Sequence, residues 1–139
     1  MFRLGTVIIG VILTLGLAGC ASLPSREKDD LNAVIVVVDL WSKAIVAHDV
    51  DALLALYSED FSDSDGNDKA AFGEFIAGAI DQGMLDNVEI IDDDTVMTID
   101  GNTATYNGIG LSGDMGGISV DLTLTREAEG WAITSMIAG

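Results

Sequence analysis

One cysteine, one proline and one histidine serve a chain of 139 residues, and each scarcity closes off a class of chemistry. A lone Cys20 cannot form an intramolecular disulfide, even in an oxidising compartment. With His48 as the sole imidazole, multi-histidine metal sites are excluded, and Ser22, Ser58, Ser62 and Ser64 have no histidine nearby with which to build a hydrolytic triad. Aromatic residues make up only 6% of the chain, so large rings are in short supply for filling a core. Basic residues are few as well: six Lys and Arg stand against 23 Asp and Glu, for a formal charge of −17. Such a chain is repelled by nucleic acid and by anionic lipid headgroups. No phosphate-cradling loop occurs, because the glycine cluster at 113–117 reads as a hairpin turn with no helix after it. No internal repeat is visible.

At the amino terminus, Arg3 precedes an almost unbroken apolar run over 4–17 that ends in Leu17-Ala18-Gly19-Cys20. A charge, an apolar stretch and a small-residue cleavage site, in that order, make an export signal rather than a folded element. Leu-Ala-Gly-Cys resembles the lipobox of bacterial lipoproteins. The resemblance implies that residues 1–19 are removed and that Cys20 carries lipid on its sulfur and amino group, attaching the protein to a membrane. The alternative is a plain transmembrane anchor, since about 20 apolar residues suffice to cross a bilayer. Against it, glycines interrupt the run, and the only cysteine stands where acylation needs it. Two or three acyl chains hold a protein far more firmly than one. The expected location is the cell envelope. In a Gram-negative host, Ala21 resembles the signal for sorting to the outer membrane, facing the periplasm. Loss of Arg3 leaves five basic residues against 23 acidic ones, so the mature chain carries about 18 net negative charges.

Residues 20–30 hold Pro24 and the polar run from Ser25 to Asp30, which reads as a flexible tether. Residues 31–139 are enough for one small domain with a single core. Over 31–48, Leu31, Val34, Val38, Trp41, Ile45 and His48 recur at spacings of three and four, which places them on one helical face. Asp39 and Lys43 form an ion pair on the opposite face. Asp49 reads as the N-cap of a short helix over 50–57, with His48 closing the helix before it. Residues 58–68 read as an acidic loop. Helical spacing returns over 69–80 through Phe72, Phe75, Ile76 and Ala79 and ends at Gly83. Beyond it, 88–91, 95–99, 103–111, 118–128 and 131–137 are short segments rich in Val, Ile and Thr, the later ones separated by turn sequences such as Asp100-Gly101-Asn102 and Glu129-Gly130. They predict a meander of antiparallel strands. Helices first and strands later predict an α+β domain whose sheet wraps over the helices.

Trp41, the run from His48 to Phe61, the helix start Asp68-Lys69-Ala70-Ala71-Phe72, the turn Asp100-Gly101-Asn102-Thr103-Ala104 and the closing Gly130-Trp131-Ala132-Ile133 resemble the nuclear-transport-factor-2-like superfamily. The likeness is greatest to the small bacterial branch related to ketosteroid isomerases and polyketide cyclases, and it spans nearly all of 31–137. It implies a cystatin-like cone: a curved antiparallel sheet closing around N-terminal helices, with an apolar cavity at the wide end. That fold hosts enzymes, ligand binders and dimerisation modules, so it does not select a function. Carried over by position, the isomerases' general-base aspartate falls on Asp65, counting on from Asp49 without a gap. Their oxyanion-donating tyrosine falls on Trp41, which departs from the pattern, because an indole N–H donates a hydrogen bond but cannot share a proton as a phenol does. Their second donor, a protonated acid on a late strand, lands on Asp121, and a slip of one residue would turn that side chain to the other face. The residues expected to line the cavity are Trp41, Tyr57, Phe72, Phe75, Met97, Tyr106, Trp131 and Met136. With so few rings, the cone has room for a ligand.

The acidic loop supports a competing chemistry. Asp63, Asp65, Asn67 and Glu74 occupy positions 1, 3, 5 and 12 of a calcium-loop spacing, although the glycine required at position 6 is Asp68. A carboxylate on calcium is not free to take a proton, so the two readings compete. Three functions follow. The first is a membrane-tethered envelope domain that binds a small, largely apolar molecule or a protein partner, with no cofactor. The second is an isomerase- or cyclase-type enzyme using Asp65. The third is a structural module that forms a homodimer through its sheet face.

Overall fold

The computed structural model describes residues 25–139. The expected leader, the lipobox with Cys20, and Pro24 lie outside the described residues. Among the described residues, no helix is long and apolar enough to cross a membrane.

The first helix, α1 (Ser25–Ala47), begins six residues before its apolar period does, so residues 25–30 are helix rather than tether. Local composition cannot separate these two states, because a polar helical turn and a polar linker look alike. What distinguishes them is a distant partner: Asp30 pairs with Arg126, and both side chains are largely withdrawn from solvent. Val34, Val38, Trp41, Ala44 and Ile45 are buried along one face, as the periodicity predicts. His48 then turns into left-handed backbone at φ 57° and closes the helix. Its N–H donates to the Ile45 carbonyl and the Asp49 N–H donates to Ala44, at 3.2 and 3.0 Å.

Asp49 caps α2 (Val50–Leu54) by accepting from the Ala52 N–H at 3.0 Å. This helix stops earlier than expected because Tyr57 opens a strand, β1 (Tyr57–Asp63), inside the segment read as an acidic loop. The strand buries Tyr57, Ser58 and Phe61 and exposes Glu59 and Asp60. Its carboxylates disguise a half-buried edge strand as a loop. Asp68 caps α3 (Lys69–Asp81) through the Ala71 N–H, and Gly83, at φ 73°, follows its last turn as predicted.

The remaining strands fall close to their expected bounds: β2 (Glu89–Ile91), β3 (Val96–Asp100), β4 (Thr103–Gly113), β5 (Gly116–Glu127) and β6 (Gly130–Ala138). The sheet order is β1-β6-β5-β4-β2, with β3 also paired to β4. All pairs are antiparallel except β1 with β6, which is parallel. Register shifts after Tyr106 on β4 and after Thr123 on β5 bend the sheet. Its inner face buries Ala104, Ile109, Leu111, Val120, Leu122, Leu124 and Ile133 against Val34, Val38 and Trp41 of α1 and Phe72 of α3. Each large apolar side chain so enclosed contributes about 1.5–3 kcal/mol. The result is an α+β fold with a curved sheet wrapped over helices.

Candidate functional site: an apolar cavity

The core does not fill the space between α1, α3 and the far ends of β4 to β6. A cavity of about 220 Å³ remains there. Trp41 and Ile45 of α1 form one wall, Phe72, Ile76 and Ala79 of α3 a second, and Leu111, Val120 and Met136 of the sheet a third. Leu85 and Val88, from the turn after α3, close the side. Two local devices hold that turn in place. The His48 ring donates from Nε2 to the Leu85 carbonyl at 2.8 Å. Gly113 lets β4 pass so close that a Cβ there would lie 3.1 Å from the Asp86 carbonyl oxygen. The mouth is ringed by Phe75, Met84, Met115 and Ile118, with Phe75 56% and Met115 68% exposed.

The lining carries no titratable side chain. Its polar element is internal: Trp41 Nε1 donates to the Tyr57 hydroxyl at 2.8 Å, and that hydroxyl donates to Met136 Sδ at 3.8 Å. Burial pushes the Tyr57 hydroxyl well above the ordinary tyrosine range, only partly offset by the bond from Trp41, so it stays neutral. Among the described residues, no buried side-chain donor or acceptor lacks a partner. The Trp41 indole N–H is therefore already engaged and is not offered to the cavity.

The three residues expected to perform acid–base chemistry are not brought together. Asp65 is exposed in the turn after β1, outside the cavity lining. Asp121 lies on the outer face of β5, because Val120 and Leu122 take the inner one, and its Oδ1 accepts from the Gly108 N–H at 2.8 Å. Only Trp41 touches the cavity. The calcium spacing is not realised either. Asp63 turns its carboxylate to the N–H groups of Asp65 and Asn67 and to the Asn67 amide, at 2.8–2.9 Å. Gly66 makes the turn at φ 83° two positions before the place where a calcium loop needs it. Among the described residues, no three His, Cys, Asp or Glu converge as a metal site. Partial desolvation pushes the Asp63 carboxyl upward, but the hydrogen bonds from Asn67, Asp65 and Gly66 outweigh it and hold it below the usual carboxylate value.

Of the expected lining, Trp41, Phe72, Phe75 and Met136 are in place. Tyr57 is buried behind Trp41 and Met136, with its ring 4.6 Å from Phe61 and 5.1 Å from Phe72. Met97 and Tyr106 face each other across β3 and β4, away from the cavity. Trp131 packs under the Arg126 guanidinium, 5.1 Å from the ring centre. It lines a separate cleft of about 560 Å³ with Ser58, Glu59, Lys69 and Glu127. The mouth residues Met84, Met115 and Ile118 were missed. Met84 and Met115 sit in turns, where an apolar residue has no periodic neighbours to give it away, and the alternation of Ile118 with Val120 and Leu122 shows its face but not that the face ends at an open mouth.

No protein-family model matches this chain. No curated protein sequence matches it either. Solved structures do resemble it in fold. An NTF2-like protein with a cystatin-like fold from Novosphingobium aromaticivorans aligns at 17% identity and a TM-score of 0.64, over 82% of this chain and 83% of its own. An NTF2-like protein of unknown function from Shewanella baltica aligns at 13% identity and 0.65, over 85% and 96%. A Streptomyces avermitilis protein of the NTF2-like family, provisionally described as a dehydratase, aligns at 16% identity and 0.63, over 81% and 96%. At these identities the likeness speaks for the fold, which is NTF2-like.

Proposed function

We propose that this domain binds a small, uncharged, apolar molecule in the cavity between α1, α3 and the β4–β5 hairpin, and that it works as a binder rather than as an acid–base enzyme. The observation that carries this reading is the chemistry of the lining. Eighteen residues enclose the space and none can ionise. The nearest donors, Trp41 and Tyr57, bond to each other and to Met136. A cavity of about 150 Å³ accepts a benzene ring. The present one suits a ligand somewhat larger than that and smaller than a typical drug, of the size of a bicyclic aromatic or a short acyl chain. Three methionines at the wall and mouth suit a ligand of variable shape, because their unbranched thioethers repack easily. A dehydratase, as provisionally described for the Streptomyces avermitilis neighbour, needs a base at the substrate, and the lining supplies none.

The test is fluorescence of the neutral probe N-phenyl-1-naphthylamine on a chain starting at Ser25, which keeps every residue of the core. Emission should rise with protein and fall on competition by medium-chain alcohols. Ala79→Phe, which puts a ring into the void, should abolish the enhancement while unfolding stays cooperative. Binding that survives this substitution unchanged would place the probe elsewhere and refute the reading.

We propose further that Cys20 is lipidated and holds the domain at the cell envelope, on the strength of the Arg3, apolar run and Leu-Ala-Gly-Cys order. A palmitate label should enter the chain in a bacterial host and be lost in Cys20→Ser. Mass spectrometry finding Met1 intact and the thiol free would reject the anchor.

A further inference from the structure

The outward face of α1 breaks the pattern expected of a solvated helix. On it lie Ile35, Val36, Leu40 and Val46, between 47 and 55% exposed, where an isolated helix of so acidic a chain would carry charge. Asp39 and Lys43, joined at 2.7 Å, run down the middle of the same face and are largely exposed. At the helical pitch of 3.6 residues per turn, Ile35 and Val46 flank this pair on one side, and Val36, Leu40 and Ala47 on the other. Aliphatic surface of this extent on one helix face marks an interaction site rather than scatter.

The distribution names its own partner. In an antiparallel pairing of α1 with a second α1 about a two-fold axis beside Leu40, each flank meets the same flank of the other copy. Ile35 then faces Val46 of the partner subunit, Val36 faces Ala47 of the partner subunit, and Leu40 packs near Leu40 of the partner subunit. Along the centre, Asp39 meets Lys43 of the partner subunit, and the reciprocal contact repeats it. This is the self-complementarity an isologous interface requires. The charge is self-complementary too. In a chain of 23 acids and six bases, this stretch carries one of each, so two copies approach here with less repulsion than over the acidic remainder of the surface. The outer face of the sheet, the expected site of self-association, is less suited. Its exposed apolar side chains, Ile137 on β6 and Ile91 and Val96 on β2 and β3, are separated by Thr105, Thr123, Thr125 and Asp121 of β4 and β5, so they form no continuous patch.

We infer that α1 is the dimerisation surface of this protein, with a second copy of the same chain as its occupant. A single helix pair buries little area, which places the complex among the weak, concentration-dependent interfaces. Cavity and interface lie on opposite sides of α1, so a dimer leaves both mouths open.

Sedimentation of the full chain in a density-matched neutral detergent tests this at protein concentrations up to the hundred-micromolar range. The wild-type chain should pass from monomer to dimer. Leu40→Glu should remain monomeric throughout. Asp39→Lys alone, which sets like charges against each other across the axis, should weaken association about tenfold or more, and Asp39→Lys combined with Lys43→Asp should restore most of it. Thr123→Glu on the outer sheet face should change nothing. All these positions are at least partly exposed, so circular dichroism should report the same fold for each variant. A wild-type monomer at every concentration overturns the inference, and so does a dimer that survives Leu40→Glu. A double swap that fails to rescue, or a dimer lost in Thr123→Glu, moves the contact to another surface and overturns it as well.

Discussion

Single residues here do structural work that their types do not advertise. Tyr57 is the clearest case, a phenol held in the core as acceptor for Trp41 and donor to Met136. Tyr57→Phe would leave the buried indole N–H without a partner and should cost about 1–3 kcal/mol, read from the midpoint of urea unfolding. It should also change the alkaline limb of stability. Because the folded hydroxyl resists ionisation, its contribution is complete below the ordinary tyrosine value of about 10. It falls away above that value, as the unfolded chain ionises first. Wild-type stability should therefore decline above that pH more steeply than that of Tyr57→Phe, and equal slopes would refute the assignment. Asp63 works in the opposite sense. Its carboxyl is held low, so its contribution is present above about pH 4 and is lost as acid protonates it. Asp63→Asn should flatten that acid loss in a pH series of denaturant melts, whereas Asp65→Asn, two residues further on and exposed, should leave it intact. None of these roles was legible beforehand, since a spacing of carboxylates says which residues are close in sequence and nothing about which atoms they face. The resemblance to the isomerases singled out Asp65 and Asp121 by position in the chain alone. A turn directed one to solvent, and the alternation of β5 directed the other to the outer face.

Elements were far more readable than sites, and the exceptions share a cause. Asp49 and Asp68 announced two helix starts, Gly83 one helix end, and alternating Val, Ile and Thr the later strands. The first six residues of α1 and the whole of β1 escaped because the one is polar throughout, the other carries only Tyr57 and Phe61 among polar residues, and each is held by partners remote in sequence, Arg126 for the one and β6 for the other. The junction of α1 and α2 offers a direct test. His48 sits at a positive φ and also holds the Leu85 carbonyl. His48→Gly loses the ring but relieves the backbone, whereas His48→Ala loses the ring and keeps the strain. The glycine variant should therefore be more stable than the alanine variant by about 1 kcal/mol in thermal or urea melts. On β4, Gly108→Ala should cost about 1–2 kcal/mol, since the bulge at φ 84° demands left-handed backbone. A neutral result would mean that the bulge relaxes.

At the scale of the whole molecule, charge and emptiness dominate. A net −17 on so small a fold makes the compact state repel itself, so added sodium chloride should raise the melting temperature through screening, and a flat response would imply that the acids are already compensated. The cavity is emptiness that the chain cannot fill by itself. Its four phenylalanines and two tyrosines include a cluster formed by Tyr57, Phe61 and Phe72, so beside Trp41, Phe72 and Phe75 the wide end is lined mostly by aliphatic and methionine side chains. By itself, the sequence determined the α+β order, most caps and turns, the acidic surface and the apolar side of α1. These are properties of composition and of spacings of two, three and four residues, where each position interacts with its near neighbours. Tertiary structure alone decided that the Trp41 N–H donates its hydrogen bond to Tyr57, that Asp65 and Asp121 stay out of the cavity, that β1 lies parallel to β6, and that a second apolar stripe on α1 is left uncovered. Each of these depends on which distant segment arrives at a given side chain, and no local period encodes that meeting.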